Sequence, residues 1–331
     1  MTLQPEREGR AAVRLVEVDA ERAGQRLDNF LIQLLGGVPR SHVYRLVRKG
    51  EVRVNGHRTG PSQRLASGDR VRVPPLRVEA APDPSRPPER LSQALERAIV
   101  YEDERLIVLD KPAGLAVHGG SGLSFGLIEA LRASRPGEAL ELVHRLDRAT
   151  SGCLIVARKP SVLRTLHALL REGRFEKRYL ALLEGHWRFG RKRIEAPLRT
   201  DLRVHGERTV KVHAEGKPSA SEFRPVQFFG GKGSSGAGDR AQRATLVEVQ
   251  LHTGRTHQIR VHAAHAGHPV AGDEKYGDEP FNARMRELGL ARMFLHAEAV
   301  SFEWPGGGVF SASAPLPRDL GEFVEKLHPQ R

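Results

Sequence analysis

A segment dense in proline constrains what this chain can fold into more than any other feature. Six prolines fall within residues 74–91: Pro74, Pro75, Pro82, Pro84, Pro87 and Pro88. Proline fixes φ and has no amide N–H to donate, so this density disfavours helices and sheets and favours an extended linker. We therefore predict a domain over residues 24–73, a linker over residues 74–91 and a larger domain over residues 92–326. Residues 1–23 are expected to form a flexible tail and a first strand.

The part before the linker carries most of the excess positive charge. The chain has 53 Lys and Arg against 40 Asp and Glu, a net charge of +13. Residues 24–77 alone hold 11 of the basic and 3 of the acidic residues. This concentration favours an anionic partner, either nucleic acid or an acidic membrane surface.

No run of 18 apolar residues and no apolar leader is present, so we expect no membrane span and a cytoplasmic protein. The single cysteine, Cys153, excludes an internal disulfide and is expected to be a small buried hydrophobe.

Apolar periodicity predicts two helices in the basic part. The first follows the i, i+3, i+4, i+7 spacing of Leu27, Phe30, Leu31 and Leu34. The second begins near Ser41, a plausible N-cap, and carries basic side chains on one face. A hairpin with an Asn-Gly turn over residues 52–58 and a strand over residues 65–73 follow.

This order of elements resembles the S4 RNA-binding module. The resemblance implies RNA contacts by the basic side chains Arg40, Arg45, Arg48, Lys49 and Arg53. A protein contact is the alternative use of the same face.

The larger part mixes helices and strands without a regular βαβ repeat, which predicts an α+β fold. Strands are predicted over residues 99–101, 106–109, 179–183 and 245–251, and helices over residues 125–133 and 161–172. The Gly/Ser-rich residues 230–238 are predicted to form a mobile hairpin tip.

Two short segments carry candidate chemistry, residues 144–152 (HRLDRATSG) and residues 254–262 (GRTHQIRVH). In an extended stretch side chains alternate, so Arg145 and Asp147 would share one face, and His144 and Leu146 the other. A lone carboxylate among cations suits attack on an electrophilic sugar or base. It does not suit ordinary glycoside hydrolysis, which needs a second carboxylate.

These segments, with residues 108–118 and 174–181, resemble the RluA-type pseudouridine synthases over roughly residues 92–326. The resemblance implies an isomerase that uses no cofactor and in which Asp147 acts on the ribose. The residues leave open whether Asp147 is a nucleophile or a base. Without the resemblance, the residues would favour an Asx-turn or cap residue at this position.

The same resemblance implies roles for further residues. Arg255 would pair with Asp147 and keep it ionised, and Tyr179 would contact the uracil. Arg145 would fill the gap left when the target nucleotide leaves the base stack. The remaining residues expected at the substrate pocket are His144, Ile259 and Leu295.

Five histidines near the second segment raise the possibility of a metal-dependent hydrolase: His252, His257, His262, His265 and His268. Their spacing is loose, and two nearby arginines would repel a cation, so we expect no metal.

Segments 24–31, 38–41, 48–55 and 117–126 are most similar to a branch of the family that acts on 23S ribosomal RNA. We therefore expect a monomer that modifies uridines in 23S rRNA or a large-subunit precursor. The alternatives are a D-type 23S rRNA synthase and a non-catalytic, S4-containing ribosome-assembly factor.

Overall fold

A computed structural model describes residues 13–35, 38, 40–75, 87–119, 125–204, 207–230 and 243–327. The chain divides into two compact units, Met1–Arg86 with Lys159–Ser161, and Pro87–Arg158 with Val162–Arg331. Helices and strands are mixed along the chain, which confirms the α+β class. No helix within the described ranges is long and apolar enough to cross a membrane.

The first unit is a three-stranded antiparallel sheet with two helices. Its elements are β1 (Arg14–Glu17), α1 (Leu27–Leu34), α2 (Arg40–Lys49), β2 (Arg53–Val54) and β3 (Arg70–Val73), and the strand order is β1-β3-β2. Both helices bury their apolar faces in one core with the strands. The predicted Asn-Gly turn is present: Asn55 and Gly56 both have positive φ, 51° and 82°.

Two boundaries in this unit differ from the prediction. Helix α2 begins at Arg40 rather than Ser41. The predicted strand over residues 65–73 is regular only in β3. Leu65 instead pairs its N–H with the Gln25 carbonyl, and the Gly68 turn, at φ 85°, redirects the chain before β3 begins.

The predicted linker falls mainly on residues 76–86, which lie outside the described residues. At its far end, helix α3 (Glu89–Arg97) begins directly after Pro88, within the range predicted as the linker. Proline needs no amide partner at a helix start, so the same residues that disfavour a helix interior fit the position before one.

A ten-stranded mixed sheet forms the second unit. Its strands are β4 (Ile99–Glu102), β5 (Leu106–Lys111), β6 (Glu141–Leu142), β7 (Ser151–Ala157), β8 (Phe175–Glu184), β9 (Lys192–Glu195), β12 (Ala220–Phe229), β13 (Ala244–Leu251), β14 (Leu295–Glu303) and β15 (Val309–Ser313). The order is β4-β5-β7-β14-β8-β13-β12-β9, with β15 beside β14 and β6 beside β7. The pair β7 and β14 is parallel, and the other strand pairs are antiparallel.

The remaining elements are a two-stranded sheet, β10 (Leu198–Val204) with β11 (Glu207–Val212), and five helices. The helices are α4 (Leu127–Ser134), α5 (Pro160–Arg171), α6 (Gln258–His265), α7 (Glu279–Glu287) and α8 (Arg318–Lys326). The strands and helices predicted for this part are confirmed within a few residues. The predicted tip at 230–238 falls largely on residues 231–242, outside the described residues.

Strand β7 is buried along its whole length and lies inside the sheet between β5 and β14. Cys153 lies on it and is buried, and burial raises the pKa of its thiol to about 12. The cysteine therefore behaves as the small hydrophobe that was predicted. The start of β7 places residues 144–150 at one edge of the core, beside the start of β14.

Candidate active site

Asp147 lies in a tight turn that leads into β7. Leu146 is packed in the core, while the Asp147 side chain is 17% exposed. The Thr150 N–H donates to the Asp147 carbonyl at 3.1 Å and closes the turn. Two residues later Gly152 has φ 108°, and a Cβ there would lie 2.2 Å from the Ala297 carbonyl of β14. Only glycine allows the two strands to approach this closely.

The guanidinium of Arg260 lies against Asp147. Arg260 is in the first turn of α6, and its Nη1 is 3.4 Å from Asp147 Oδ2. Its Nε and Nη2 each donate to the Asp273 carboxylate at 2.7 Å, a bidentate pair that fixes the plane of the guanidinium. Burial alone would raise the pKa of Asp273, but the hydrogen bonds and charge of Arg260 hold it below its usual value.

The predicted pair between Arg255 and Asp147 is wrong, because Arg260 occupies that position. Arg255 precedes α6, is exposed, and its Nε donates to the Pro218 carbonyl at 3.2 Å. Arg255 and Arg260 are five residues apart, and the position of the helix start at Gln258 determines which of them reaches Asp147. Arg260 lies in the first turn of α6 and is buried, whereas Arg255 lies before the helix and is exposed.

His257 is a second group near the carboxylate. Its backbone has φ 54°, an uncommon conformation for a residue other than glycine. Its Nε2 lies 3.8 Å from Asp147 Oδ2, and its Nδ1 lies 2.8 Å from the Tyr276 hydroxyl. Burial lowers the pKa of His257, so at neutral pH its ring is mainly uncharged.

Lys111, at the end of β5, holds the turn that carries Asp147 through hydrogen bonds to the backbone. Its side chain is fully buried, and its Nζ donates to the carbonyls of Pro112, Leu115 and Arg148 at 2.8, 2.9 and 3.3 Å. Burial lowers the pKa of Lys111 to about 8. Because Arg148 follows Asp147, this lysine ties the residues around the carboxylate to the loop after β5.

A cavity of about 490 Å³ opens above Asp147. The residues predicted for catalysis and substrate binding all line it: His144, Arg145, Asp147, Tyr179, Arg255, Ile259 and Leu295. Arg145 is exposed, and Tyr179 is 7% exposed, with its pKa raised by burial and by the nearby Asp147 charge. Ile259 and Leu295 are each 3% exposed and also belong to the core, so both are shared between core and cavity wall.

His144 has a structural contact in addition to its place at the cavity. Its Nε2 accepts the Ile155 N–H at 3.2 Å. Burial, with a smaller contribution from the Lys177 charge, lowers its pKa to about 4. At neutral pH it is therefore an uncharged acceptor.

Two of the histidines considered as metal ligands are held by other contacts. His262 is buried between Ser221 and the Ala196 carbonyl, and His268 donates to the Glu184 carbonyl at 2.7 Å. Across the described ranges, no group of three His, Cys, Asp or Glu side chains is placed to hold a metal ion.

Four residues at the site were missed from the sequence: Lys111, His257, Arg260 and Asp273. His257 and Arg260 are three positions apart, so the start of a helix in the second segment would have indicated that both face one way. Asp273 and Lys111 carry no local signal, since each acts through contacts made across the fold.

Within the described ranges, the site offers one carboxylate that a substrate could reach. Asp273 is fully buried behind Arg260 and is occupied by two hydrogen bonds. Among the residues that the structure describes, Asp147 is the carboxylate that faces the cavity, and the Arg260 guanidinium lies 3.4 Å from it. This arrangement lacks the second working carboxylate that ordinary glycoside hydrolysis requires.

The basic side chains of the first unit lie on its surface. Arg45, Arg48 and Lys49 are exposed on α2, whose Val43, Leu46 and Val47 are buried. Arg53 is exposed on β2. Arg40 begins α2, and its side chain lies outside the described residues.

Known proteins match both units. The RNA pseudouridylate synthase family matches residues 105–265, and the S4 domain matches residues 25–71. The chain is 51% identical over 312 residues to ribosomal large subunit pseudouridine synthase C of Yersinia pestis, covering 93% of each chain. It is 49% identical over 325 residues to the protein of that name from Escherichia coli K12, covering 97% of this chain and 98% of the relative.

Among solved structures, human RNA pseudouridylate synthase domain containing 1 is 27% identical. The match has a TM-score of 0.56 and covers 70% of this chain and 88% of that one. The site geometry, the two family matches and the near full-length identity agree, and this chain belongs to the RNA pseudouridylate synthase family, enzymes that isomerise uridine in RNA.

Proposed function

We propose that this enzyme converts specific uridines of 23S ribosomal RNA, free or in a large-subunit precursor, to pseudouridine. The observation that carries the proposal is that Asp147 is the one cavity-facing carboxylate in the described part of the chain, where it pairs with Arg260 and shares the cavity with Tyr179. The names of its relatives, which are about half identical over nearly the full length, support the choice of RNA.

The reaction breaks the uridine N1–C1′ bond, turns the base, and joins C5 to C1′. The C5 proton leaves and N1 ends protonated, so no water, redox carrier or metal is consumed. In our proposal Asp147 acts at the ribose, as a nucleophile at C1′ or as a base, and the ion pair with Arg260 keeps its carboxylate aimed at the ribose.

Tyr179 would stack on the uracil and hydrogen-bond near C5. Burial and the Asp147 charge keep its hydroxyl protonated at neutral pH, so it serves as a donor rather than an anion. Arg145, exposed at the cavity, would enter the gap that the flipped nucleotide leaves and stack on neighbouring bases. Ile259 and Leu295 would supply apolar wall.

Residues 24–73 are proposed as the RNA-binding domain, residues 74–91 as a linker and residues 92–326 as the catalytic domain. The exposed basic side chains of α2 and β2 would contact phosphates, which gives affinity without sequence choice. We further propose that the enzyme is monomeric and cytoplasmic, where its ribosomal substrate is made.

Mapping pseudouridines across 23S rRNA in a strain lacking the gene tests this proposal. Loss at specific positions is expected, with restoration by the wild-type gene and no restoration by an Asp147→Asn variant. An unchanged map would favour the non-catalytic assembly role. Losses confined to other RNAs would contradict the proposed substrate.

A further inference from the structure

A cationic side chain, that of Lys177, lies in the wall of the cavity and has no hydrogen-bond or ion-pair partner among the described residues. Lys177 is on β8, which is hydrogen-bonded on both sides, to β14 and β13. It lies two residues before Tyr179, and side chains two apart on a strand share a face, so both point to the cavity. The Lys177 ammonium lies beside the chain that precedes α6, because a Cβ built on Gly254 would be 3.6 Å from its Nζ.

The charge of Lys177 is not compensated within the described part of the chain. No hydrogen bond or ion pair joins Lys177 to another described residue, and the cavity carboxylate, Asp147, is already paired with Arg260. Burial lowers the pKa of Lys177 to about 8, which still leaves it mostly charged at neutral pH. A half-buried unpaired charge is costly, and an anion beside it would remove that cost.

We propose that Lys177 binds a backbone phosphate next to the nucleotide that enters this cavity. This inference rests on the proposed function, since it takes RNA as the occupant. The phosphodiesters are the negatively charged groups of RNA, so a phosphate is the substrate group that would pair with the Lys177 ammonium. Because Lys177 lies on a central strand, the contact would fix how deeply the flipped nucleotide enters, beyond attracting RNA in general.

The test uses a stem-loop RNA that contains a mapped target uridine. Lys177→Met removes the charge and keeps an unbranched chain, and Lys177→Arg keeps the charge. We expect Lys177→Met to weaken binding about tenfold or more, as for the loss of a charged hydrogen bond. The slope of log affinity against log salt should fall by about 0.7–0.9, as for one lost phosphate contact. Lys177→Arg should keep most of the affinity and the slope.

The matched control is Arg178→Met. Arg178 is the next residue on β8, is exposed, and lies 3.9 Å from Glu248. Its loss changes the net charge equally and should leave the affinity within about twofold. Thermal unfolding of each variant identifies any that fail to fold.

A second measurement changes the RNA rather than the protein. Methylphosphonate placed at each linkage flanking the target uridine removes one phosphate charge at a time. One such linkage should weaken binding to the wild-type enzyme by the same factor as Lys177→Met, and the two changes together should cost no more than either alone.

Several outcomes would overturn the proposal. Unchanged affinity and slope in Lys177→Met would do so, as would a lower single-turnover rate with unchanged affinity, which would assign Lys177 to the base or the chemistry. Fully additive losses at both flanking linkages would also reject it. Wild-type turnover of the unmodified stem-loop is measured alongside, and its absence would count against the proposed function instead.

Discussion

Arg260 forms an ion pair with Asp147, and a second, tighter ion pair with Asp273 holds its guanidinium in place. Arg260 Nη1 is 3.4 Å from Asp147 Oδ2, whereas its other two nitrogens each lie 2.7 Å from Asp273. The tighter, buried pair orients the guanidinium, and the looser one leaves an Asp147 oxygen open to the cavity. A substrate can therefore reach the carboxylate without the site losing its arginine.

Replacing Arg260 should impair the enzyme far more than replacing Arg255. Arg260→Ala leaves Asp273 as a buried, unpaired charge, which costs about 3–5 kcal/mol of unfolding free energy, and it removes the charge that orients Asp147. Arg255→Ala removes an exposed side chain that donates to one carbonyl. Single-turnover rates and denaturant unfolding of both variants check this. Equal rates in the two would show that the pair does not orient Asp147.

Asp273→Asn should destabilise the fold, because it removes the carboxylate that holds Arg260. We expect a loss of about 3 kcal/mol of unfolding free energy at pH 7, because Arg260 loses its buried partner. The pKa of Asp273 in the folded protein is held below its ordinary value. The ionised carboxylate therefore stabilises the fold fully at pH values above the ordinary pKa, and this stabilisation is lost as the pH falls through the lowered pKa. The stability gap between wild type and variant should therefore narrow below about pH 4. A gap constant down to pH 2 would contradict the assignment.

Lys111→Met should slow catalysis through the turn that carries Asp147. It removes the buried donor shared by three backbone carbonyls, which costs about 3 kcal/mol of unfolding free energy, and it frees the backbone at Arg148. RNA affinity should change little, because Lys111 does not reach the surface. Lys192→Met, an exposed lysine on the edge strand β9, is the control. A variant as stable and fast as the wild type would show that the three contacts are dispensable.

The basic face of α2 should govern the salt dependence of RNA binding. Replacing Arg45, Arg48 and Lys49 by Gln should lower the log–log salt slope by about 2 to 3, as for three lost phosphate contacts. The control variant replaces Arg191, Lys192 and Arg193, which removes the same charge from exposed positions of the second unit. Filter-binding titrations from low to high salt give both slopes. A larger change of the salt slope in the control variant would show that RNA contacts the second unit rather than α2.

Local patterns accounted for much of this fold. The apolar spacing predicted α1, α2 and α5, and the Asn-Gly pair predicted the turn at Asn55, because these features depend on neighbours in sequence. Strand β14 was missed, although it holds β7 and β8 together. Its pairing partners are far away in the chain, so no local pattern could report them.

The site divides in the same way. Motif resemblance identified Asp147 and Tyr179 as cavity residues, since each lies in a recognisable segment. The choice of Arg260 over Arg255 needed the start of α6, and the role of Asp273 needed a hydrogen bond across 13 residues. Lys111 reaches Arg148 across 37 residues and was invisible for the same reason.

The central claim is that the Asp147 carboxylate performs the reaction, and Asp147→Asn tests it most directly. Asparagine nearly keeps the shape but supplies neither an anion nor a nucleophile. The measurement is tritium release from 23S rRNA labelled at uridine C5, under single-turnover conditions, with RNA affinity determined in parallel. We predict that release is abolished while affinity stays close to that of the wild type. Release near the wild-type rate would contradict the role assigned to Asp147.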